Sequence, residues 1–420
     1  MAKKTKSIFE LPEFKQYKKR WDRRQSALKQ NTAYYDGSIY EKAKGAFGFL
    51  MPRLYQGVKP LYLPLSRAVD IDAGIIPGGW SLPQDEPTSK VEAWQKAIDT
   101  VFDWSNWDTD GVLFVHYGAQ SGLTGLRVAD LREDNRVIIQ PVDPRKYMLV
   151  GDSVYTNNIE MAIWVEMLDG EDGEYEYAEM ITPNSVRTFK NATPSGFDDR
   201  DIEYTNPLGF VPYVEAPHIN NGSAFGEATF EKTIPLLDEV NQIASYLADI
   251  IQKNSDVQWV AIGVEPSDLT HGGDTVWFAP QGAEFKPIVP GVDIDGVLKF
   301  IQEIAGNVRE SLPELSFDDI RGNKQIATET IELQLMELII KVKRTRPNYD
   351  RALTAALQMA GRAAKTMDGL AEIAVLDDEE LRFDPNRQII PPDIKEQLEI
   401  RMMELQLDAL ERNSTINEGE

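Results

Sequence analysis

Apolar positions in the first half of the chain switch between helical and strand spacing. A helix is predicted from about Pro12 to Gln30 and another from Ser89 to Trp107, because apolar residues recur there every three or four positions. The stretch from Ala43 to Pro83 is rich in Gly and Pro and is predicted to be mixed. Further on, the turn DGEDGE between two apolar runs indicates a β-hairpin. The predicted strands are GLTGLRVADL, RVIIQPVDP, MAIWVEML, YEYAEMITP and SVRTFK, and the extended segment NPLGFVPYVEAPHINN follows them.

From Phe230 the spacing becomes helical. One apolar stripe runs from Ile234 to Ile251, and a second runs from Val297 to Leu312 with Asp293 or Asp295 as its N-cap. Between the stripes, VQWVAIGVEP and TVWFAP are predicted to be short strands. Two helices of similar length can run antiparallel and carry this β unit at their far end. The unit has few residues to form a core, so its tryptophans, Trp259 and Trp277, are predicted to bury against a neighbouring subunit.

The last third of the chain follows a polar, glycine-containing stretch, SFDDIRGNKQIATE. A long helix is predicted from about Ala327 to Lys365, and Pro347 is expected to kink or interrupt it. The segment LRFDP then has strand character. PPDIKEQLEIRMMELQLDALE is predicted to be a final helix with proline at its start.

Charge is distributed unevenly along this acidic chain. The 420 residues carry a formal net charge of −24, from 68 acidic and 44 basic side chains. Residues 1–30 nevertheless carry about +7, which leaves about −31 for the rest. This basic amino-terminal segment is either a partner-binding tail or a solvated arm. An acidic body argues against an ordinary basic-patch nucleic-acid binder.

The sequence offers no recognisable catalytic or metal-binding motif. It has no cysteine, no P-loop, no G-x-G-x-x-G after a strand and no G-x-S-x-G elbow. The three histidines, His116, His218 and His271, are not paired at metal-ligand spacing, and each is predicted to be structural or exposed. No cofactor, metal or enzymatic activity is therefore expected. With no signal-peptide pattern and no run of about 18 apolar residues, a soluble cytoplasmic protein without membrane contact is expected.

Clustered aromatic and acidic residues leave other interpretations open. Trp94, Trp104 and Trp107 could line a platform for a sugar or base, but their amphipathic spacing favours the core or an interface. The carboxylates of VDIDG lack the other ligands of a calcium loop and are interpreted as a helix cap.

Four segments, in this order, resemble the portal protein of tailed double-stranded DNA bacteriophages, of the siphophage type. They are PVDPRKYMLV, NPLGFVPYVEAPHINN, FGEATFEKTIPLLDEVNQIASYLADII and LRFDPNRQIIPPDIKEQLE. Many relatives have a serine–glycine pair just before the long helix, whereas this chain reads RGNKQIATE there. The length and contacts of that loop therefore do not follow from the resemblance.

The resemblance implies an α+β portal-type subunit with a mixed α/β wing, two antiparallel stem helices, a small β clip, a long kinked wing helix and a short helical crown. The implied parts are a basic N-terminal arm or helix (1–32), wing (33–226), first stem helix (227–256), clip (257–291), second stem helix (292–313), tunnel loop (314–326), long helix and return strand of the wing (327–392) and C-terminal helix or crown (393–420).

A portal subunit of this kind assembles into a ring, typically of twelve copies, at one capsid vertex of the virion after assembly in the host cytoplasm. Double-stranded DNA passes through its centre during packaging and ejection, and portals do not hydrolyse ATP. The implied partners are the terminase large subunit, the major capsid and scaffolding proteins and a head-completion adaptor. The implied channel residues are Arg321, Gly322, Asn323, Lys324 and Gln325, and the implied clip contacts are Trp259, Trp277 and Phe278.

Two other classes of protein stay open on the sequence. One is a different phage virion component, such as an adaptor or baseplate part. The other is a cytoplasmic carboxylate-dependent hydrolase, since Asp and Glu are abundant enough to supply a catalytic pair. For the stretch SFDDIRGNKQIATE, the alternative to a channel loop is a solvent-exposed turn between helices.

Overall fold

The computed structural model divides the chain into two compact units. Unit 1 comprises Met1–Asp36, Pro64–Glu231 and Leu312–Glu420, and unit 2 comprises Gly37–Leu63 and Lys232–Ser311. The structure describes residues 6–42, 62–83, 85–151, 159–170, 173–196, 201–223, 225–255, 258–262, 284–288, 294–315, 328–385 and 387.

Helices and strands both contribute substantially, so the predicted mixed class is confirmed. The helices are α1 (Lys18–Tyr35), α2 (Ser38–Lys42), α3 (Leu65–Ile75), α4 (Thr88–Ser105), α5 (Trp107–Ser121), α6 (Ile234–Ser255), α7 (Ile294–Glu310), α8 (Thr328–Ala364) and α9 (Ala371–Ala374). The strands are β1 (Leu123–Leu131), β2 (Arg136–Val142), β3 (Tyr147–Gly151), β4 (Ile159–Gly170), β5 (Gly173–Ile181), β6 (Ser185–Lys190), β7 (Thr193–Pro194), β8 (Glu203–Thr205), β9 (Tyr213–Pro217), β10 (Gln258–Ile262) and β11 (Glu284–Ile288).

One sheet of unit 1 has the strand order β2-β1-β9, with both pairings antiparallel. Helices α4, α5 and α8 pack against it. The core between them contains Trp94, Phe114, Ile139, Tyr349 and Leu353, all buried. Trp94 and Trp107, which were predicted to lie in the core or at an interface, are both buried in this core.

The second sheet of unit 1 has the order β3-β4-β5-β6-β7, and β8 also pairs with β6. The predicted hairpin is confirmed, because β4 pairs antiparallel with β5 as far as Gly170 and Gly173. The amino-terminal segment covers this sheet, where Ile8, Phe9 and Phe14 are buried in a cluster with strand residues. Residues 6–35 are therefore part of the folded unit, and the interpretation as a solvated arm is wrong for them.

In unit 2, α6 and α7 pack on each other, and β10 pairs antiparallel with β11. The two predicted helices and the first predicted strand are confirmed. The sequence pattern missed β11 at Glu284–Ile288, whereas the predicted strand TVWFAP lies outside the described residues. Within the described part of the chain, no helix combines the length and apolarity needed to span a membrane.

Three further predictions need correction, and helix α3 was not predicted within the mixed stretch before Pro83. The predicted helix at Ser89–Trp107 ends at Ser105, and Asn106 adopts a left-handed conformation before α5 begins. Pro347 does not interrupt α8, which has 37 residues in total and packs on the sheet. LRFDP forms no strand, and its backbone hydrogen bonds include one from the Asp384 N–H to the Ser81 carbonyl. The last predicted helix lies outside the described residues.

Candidate functional site

The channel residues predicted from the sequence, Arg321–Gln325, lie outside the described residues, as do Trp277, Phe278 and His271. The backbone of Trp259 lies in β10, opposite Pro287 of β11. The structure therefore does not bring these residues into one site, and their roles stay predictions. It does describe the elements on both sides of the stretch 316–327, namely the 3-10 turn Pro313–Leu315 and helix α8.

Three charged side chains meet in the core of unit 1 beside that turn. Asp72 comes from α3, Glu314 from the turn and Lys341 from α8, and Asp72 and Glu314 are completely buried. The Lys341 ammonium donates a hydrogen bond to Glu314 Oε1, and its Nζ lies 3.5 Å from Asp72 Oδ2. One cation is thus shared between two buried carboxyl groups from two different segments.

A chain of neutral polar groups continues from Asp72 into the core. Thr229 Oγ1 lies 2.6 Å from Asp72 Oδ2 and 2.8 Å from His218 Nε2, and His218 Nδ1 lies 2.7 Å from the Tyr349 hydroxyl. Thr229 has one hydroxyl proton, which it donates to the carboxylate of Asp72 because a carboxylate can only accept. His218 therefore donates through Nε2 and accepts the Tyr349 proton at Nδ1.

At the end of this series of hydrogen bonds, the Tyr349 side chain packs directly against the backbone of α5. A Cβ atom on Gly118 of α5 would lie 2.0 Å from the Tyr349 hydroxyl oxygen, so only glycine fits there. Asn348 of α8 also donates to the backbone carbonyl of His218. These contacts hold α5, the segment after β9 and α8 in one arrangement.

Burial sets the charges within the cluster. Burial alone would raise the pKa of Asp72, but the charge of Lys341 and the hydrogen bonds from His218 and Thr229 outweigh it and hold that pKa below its ordinary value. Burial, and next the charge of Asp72, raise the pKa of Glu314 to about 8. At neutral pH the cluster therefore contains an ionised Asp72, a charged Lys341 and a protonated Glu314, which sum to zero.

His218 and Lys341 fit the same charge distribution. Burial lowers the pKa of His218, so its imidazole is neutral, which agrees with the single proton assigned to Nε2. Burial also opposes the charge on Lys341, but Asp72 and Glu314 raise the pKa of its ammonium above the ordinary value.

The cluster joins elements of unit 1. Leu312 and Leu315, on either side of Glu314, are buried. Arg346, little more than one turn along α8 from Lys341, donates hydrogen bonds to the carbonyl oxygens of Ile75 and Ile76 at the end of α3. Helices α3 and α8 and the turn 313–315 are thus tied together by charged groups. Among the described residues, no group of three or more His, Cys, Asp or Glu side chains is placed to hold a metal ion.

The helix pair of unit 2 exposes several large apolar side chains, as far as the described residues of the chain show. Leu237, Val240, Leu247, Ile304 and Val308 are buried. Other large apolar side chains of the same two helices are about half exposed, at 42–50%: Tyr246, Ile251, Leu298 and Phe300. A soluble protein rarely leaves several such side chains exposed on one element without a partner.

Helix α1 carries a basic ridge, defined here as the exposed residues Lys15, Lys18, Lys19, Arg20 and Arg23 on α1 and the turn before it. The next residue, Arg24, is instead buried, where its Nη1 lies 2.6 Å from Glu215 Oε1 and its other nitrogens donate to the Pro144 carbonyl. The amino-terminal segment therefore has a buried structural face and an exposed basic face.

Sequence reasoning found neither the ion cluster nor the role of Arg24. His218 was predicted to be structural or exposed, and it is structural and buried. His116 is half-buried, stacks edge-on against Tyr35 and has Nδ1 3.8 Å from Asp70 Oδ1. Asp295, one of two predicted caps, lies in the first turn of α7.

Comparison with known proteins defines the class as phage portal proteins. A family model described as "Phage portal protein, SPP1 Gp6-like" matches residues 114–340, which is more than half of the chain. The chain belongs to this family, and the resemblance predicted from the sequence is confirmed. The matched residues run from within α5 to within α8.

Among solved structures, the chain is similar to one described as the neck of an empty GTA particle computed with C6 symmetry. The identity is 11%, the TM-score is 0.44, and the similarity covers 74% of this chain and 83% of that chain. No curated protein matches the chain.

Proposed function

We propose that this portal-family protein assembles into a ring, with about twelve copies, at one vertex of a phage capsid, and that double-stranded DNA enters and leaves through the ring. The observation that carries the proposal is the exposed apolar surface of α6 and α7 within a chain of this family. Burying Leu298 and Phe300 against a neighbouring copy would remove apolar area from water at about 25 cal/mol per Å². The ring, not the single subunit, is then the stable form.

Within this proposal, the two helices of unit 2 are the stem and the β10–β11 hairpin belongs to the clip. Trp259, Trp277 and Phe278 of the clip would contact neighbouring copies, the terminase during packaging and a head-completion adaptor afterwards. The assignment is supported by the order helix, β unit, helix in unit 2. Unit 1 would supply the wing and the capsid-facing surface.

The implied tunnel loop, 314–326, is proposed to face the channel through residues 316–326, because Glu314 and Leu315 belong to the buried turn Pro313–Leu315. Asn323, Lys324 and Gln325 can each donate a hydrogen bond to a phosphate oxygen, and Arg321 adds a second cation. Repeated around a ring, such contacts would be numerous but individually weak. The acidic remainder of the chain would keep DNA from binding tightly elsewhere, which favours sliding.

Ring formation can be tested with one charge placed on α7. Phe300→Asp puts a carboxylate on the proposed contact surface, whereas Gln302→Asp adds the same charge at an exposed polar position of the same helix. Native mass spectrometry and negative-stain imaging should show large rings for the wild type and Gln302→Asp, and smaller species for Phe300→Asp. Rings of unchanged size in Phe300→Asp would contradict the proposed stem interface, and a compact wild-type monomer would contradict the ring itself.

The channel role needs a separate test, because a ring need not conduct DNA. Lys324→Glu combined with Gln325→Glu reverses the charge at the proposed tip. Rings should still assemble, while the amount of DNA packaged or retained in heads should fall. Heads filled normally by the double variant would remove the channel role from these residues and leave the ring intact.

A further inference from the structure

The ion cluster has an uneven composition for a buried site. It holds two carboxyl groups and one ammonium, and one oxygen of each carboxyl group, Asp72 Oδ1 and Glu314 Oε2, has no hydrogen-bond partner among the described residues. A buried carboxyl oxygen without a partner is costly, and more so when the group is ionised. The arrangement is therefore sensitive to whether one or both carboxyl groups carry a charge.

The position of Glu314 gives this sensitivity a mechanical consequence. The turn Pro313–Leu315 contacts α3 and α8, and Glu314 links it to Lys341 of α8, whose Nζ also lies 3.5 Å from Asp72 of α3. On one side the chain continues to α7 of unit 2, and on the other side it continues directly into residue 316. Whatever holds Glu314 therefore also holds its buried neighbours, Leu312 and Leu315.

We infer that Glu314 is a positioning residue whose carboxyl group, clamped by Lys341 and opposed by Asp72, holds the turn Leu312–Leu315 in the core of unit 1 with a strength set by its own charge. Protonated Glu314 leaves one anion and one cation, which balance. Ionised Glu314 adds a second anion to a site in which Lys341 is the one cation contributed by the described residues, and the repulsion with Asp72 loosens the turn. That this affects DNA passage rests on the proposed function, because the stretch after the turn is the proposed channel segment.

The groups that face Glu314 determine the direction of this effect. From α3 the facing charge is Asp72, and from α8 it is Lys341. His218 lies next to Asp72 and is neutral, and the charge of Glu227 also acts on it. Because burial and Asp72 raise the pKa of Glu314 to about 8, the turn should be held tightly at about pH 6 and loosened at about pH 9.

The experiment uses the full chain, which has no cysteine, so that Ser311→Cys provides a single thiol for a nitroxide spin label. Ser311 is exposed and directly precedes the buried turn. The mobility of the label is read from its resonance spectrum between about pH 6 and pH 9. In the otherwise unaltered chain, the mobile fraction should rise through about pH 8 with the steepness of one proton.

Two variants separate positioning from general destabilisation. Glu314→Gln keeps the shape of the side chain but cannot ionise, so the label should stay restricted across the whole range. Glu310→Gln, an equivalent change at an exposed glutamate one turn earlier, should follow the unaltered profile. The inference is overturned if mobility does not change with pH in the parent chain, or if Glu314→Gln shows the same profile as the parent.

This readout does not depend on DNA. A pH profile lost in Glu314→Gln, together with normal DNA filling by the Lys324→Glu and Gln325→Glu variant, would support the positioning role while removing the proposed channel role of the following stretch. A pH profile retained in Glu314→Gln, together with reduced DNA filling by the Lys324→Glu and Gln325→Glu variant, would remove the positioning role alone.

Discussion

Deletion of residues 1–30 is expected to disrupt unit 1, because this segment forms part of its core. Ile8, Phe9 and Phe14 are buried against the sheet that contains β3 to β6, and the Ile8 N–H donates to Glu176 Oε1 over 2.5 Å. Arg24 is also lost, which leaves Glu215 without its ion-pair partner. A merely solvated tail would have none of these contacts.

The loss can be scaled from the buried side chains. Burying one Ile or Phe side chain contributes about 1.5–3 kcal/mol, so Ile8, Phe9 and Phe14 together contribute about 5–9 kcal/mol as an upper bound. The net stability of a domain is only about 5–15 kcal/mol. Removal of the segment is therefore expected to cost a large part of the stability of unit 1.

A matched variant separates this structural role from partner binding. Lys15→Glu, Lys19→Glu and Arg23→Glu reverse the basic ridge at exposed positions and leave the buried face intact. Thermal denaturation should show a large loss of stability for the deletion variant. For the ridge variant, the free energy of unfolding should change by no more than about 0.5 kcal/mol per site. If the ridge binds an acidic scaffolding or capsid surface, the ridge variant should form rings but enter procapsids less efficiently, and more salt should reduce wild-type incorporation too.

A deletion variant that melts like the full chain would refute the structural reasoning, since the buried contacts would then contribute nothing. Unchanged incorporation of the ridge variant at low and physiological salt would remove the partner role and leave the structural role standing.

Three further predictions concern the ion cluster and the buried polar groups beside it. Gly118→Ala should lower the stability measured by thermal denaturation by more than about 2 kcal/mol, because its methyl carbon would lie 2.0 Å from the Tyr349 hydroxyl oxygen. Adding Tyr349→Phe should recover part of that stability. Strictly additive losses of stability in the double variant would contradict the clash. Because the pKa of Glu314 is raised to about 8, its contribution to folding is fully present below about pH 4 and is lost as the pH rises through 8. Glu314→Gln should therefore flatten that decline in stability, by about 5 kcal/mol at most. Asp72, whose pKa is lowered, contributes in the opposite sense and loses its contribution as the pH falls below about 4.

Elements with one regular apolar stripe were predictable from the sequence. Helices α6, α7 and α8 each repeat apolar residues at helical intervals, and β4 and β5 flank a turn with strong glycine signals. Local pattern is sufficient in such cases because each element buries one face against a neighbour. Of the four segments that carry the family resemblance, one contains most of α6, and the other three lie outside these elements.

Helices α3 and α5 were missed for the opposite reason. The buried residues of α3 include Asp72, and those of α5 include Gly111 and Gly118, which local spacing assigns to a polar face or a break. Asp72 is buried because Lys341 lies beside it, and Gly118 is required because Tyr349 packs on it. Both partners are more than 200 positions away along the chain, so no local pattern could have revealed them.

The two candidate sites therefore rest on complementary kinds of information. The channel residues Arg321–Gln325 follow from chain order and family resemblance, which give residue identity but no geometry. The ion cluster follows from geometry alone, since Asp72, Glu314 and Lys341 come from three separate segments and none belongs to a recognisable motif. Along the chain, the buried turn ends at Leu315, and the proposed channel stretch begins at the next residue. If the family function operates through that stretch, the proton on Glu314 and the proposed phosphate contacts of Lys324 should be tested in the same rings.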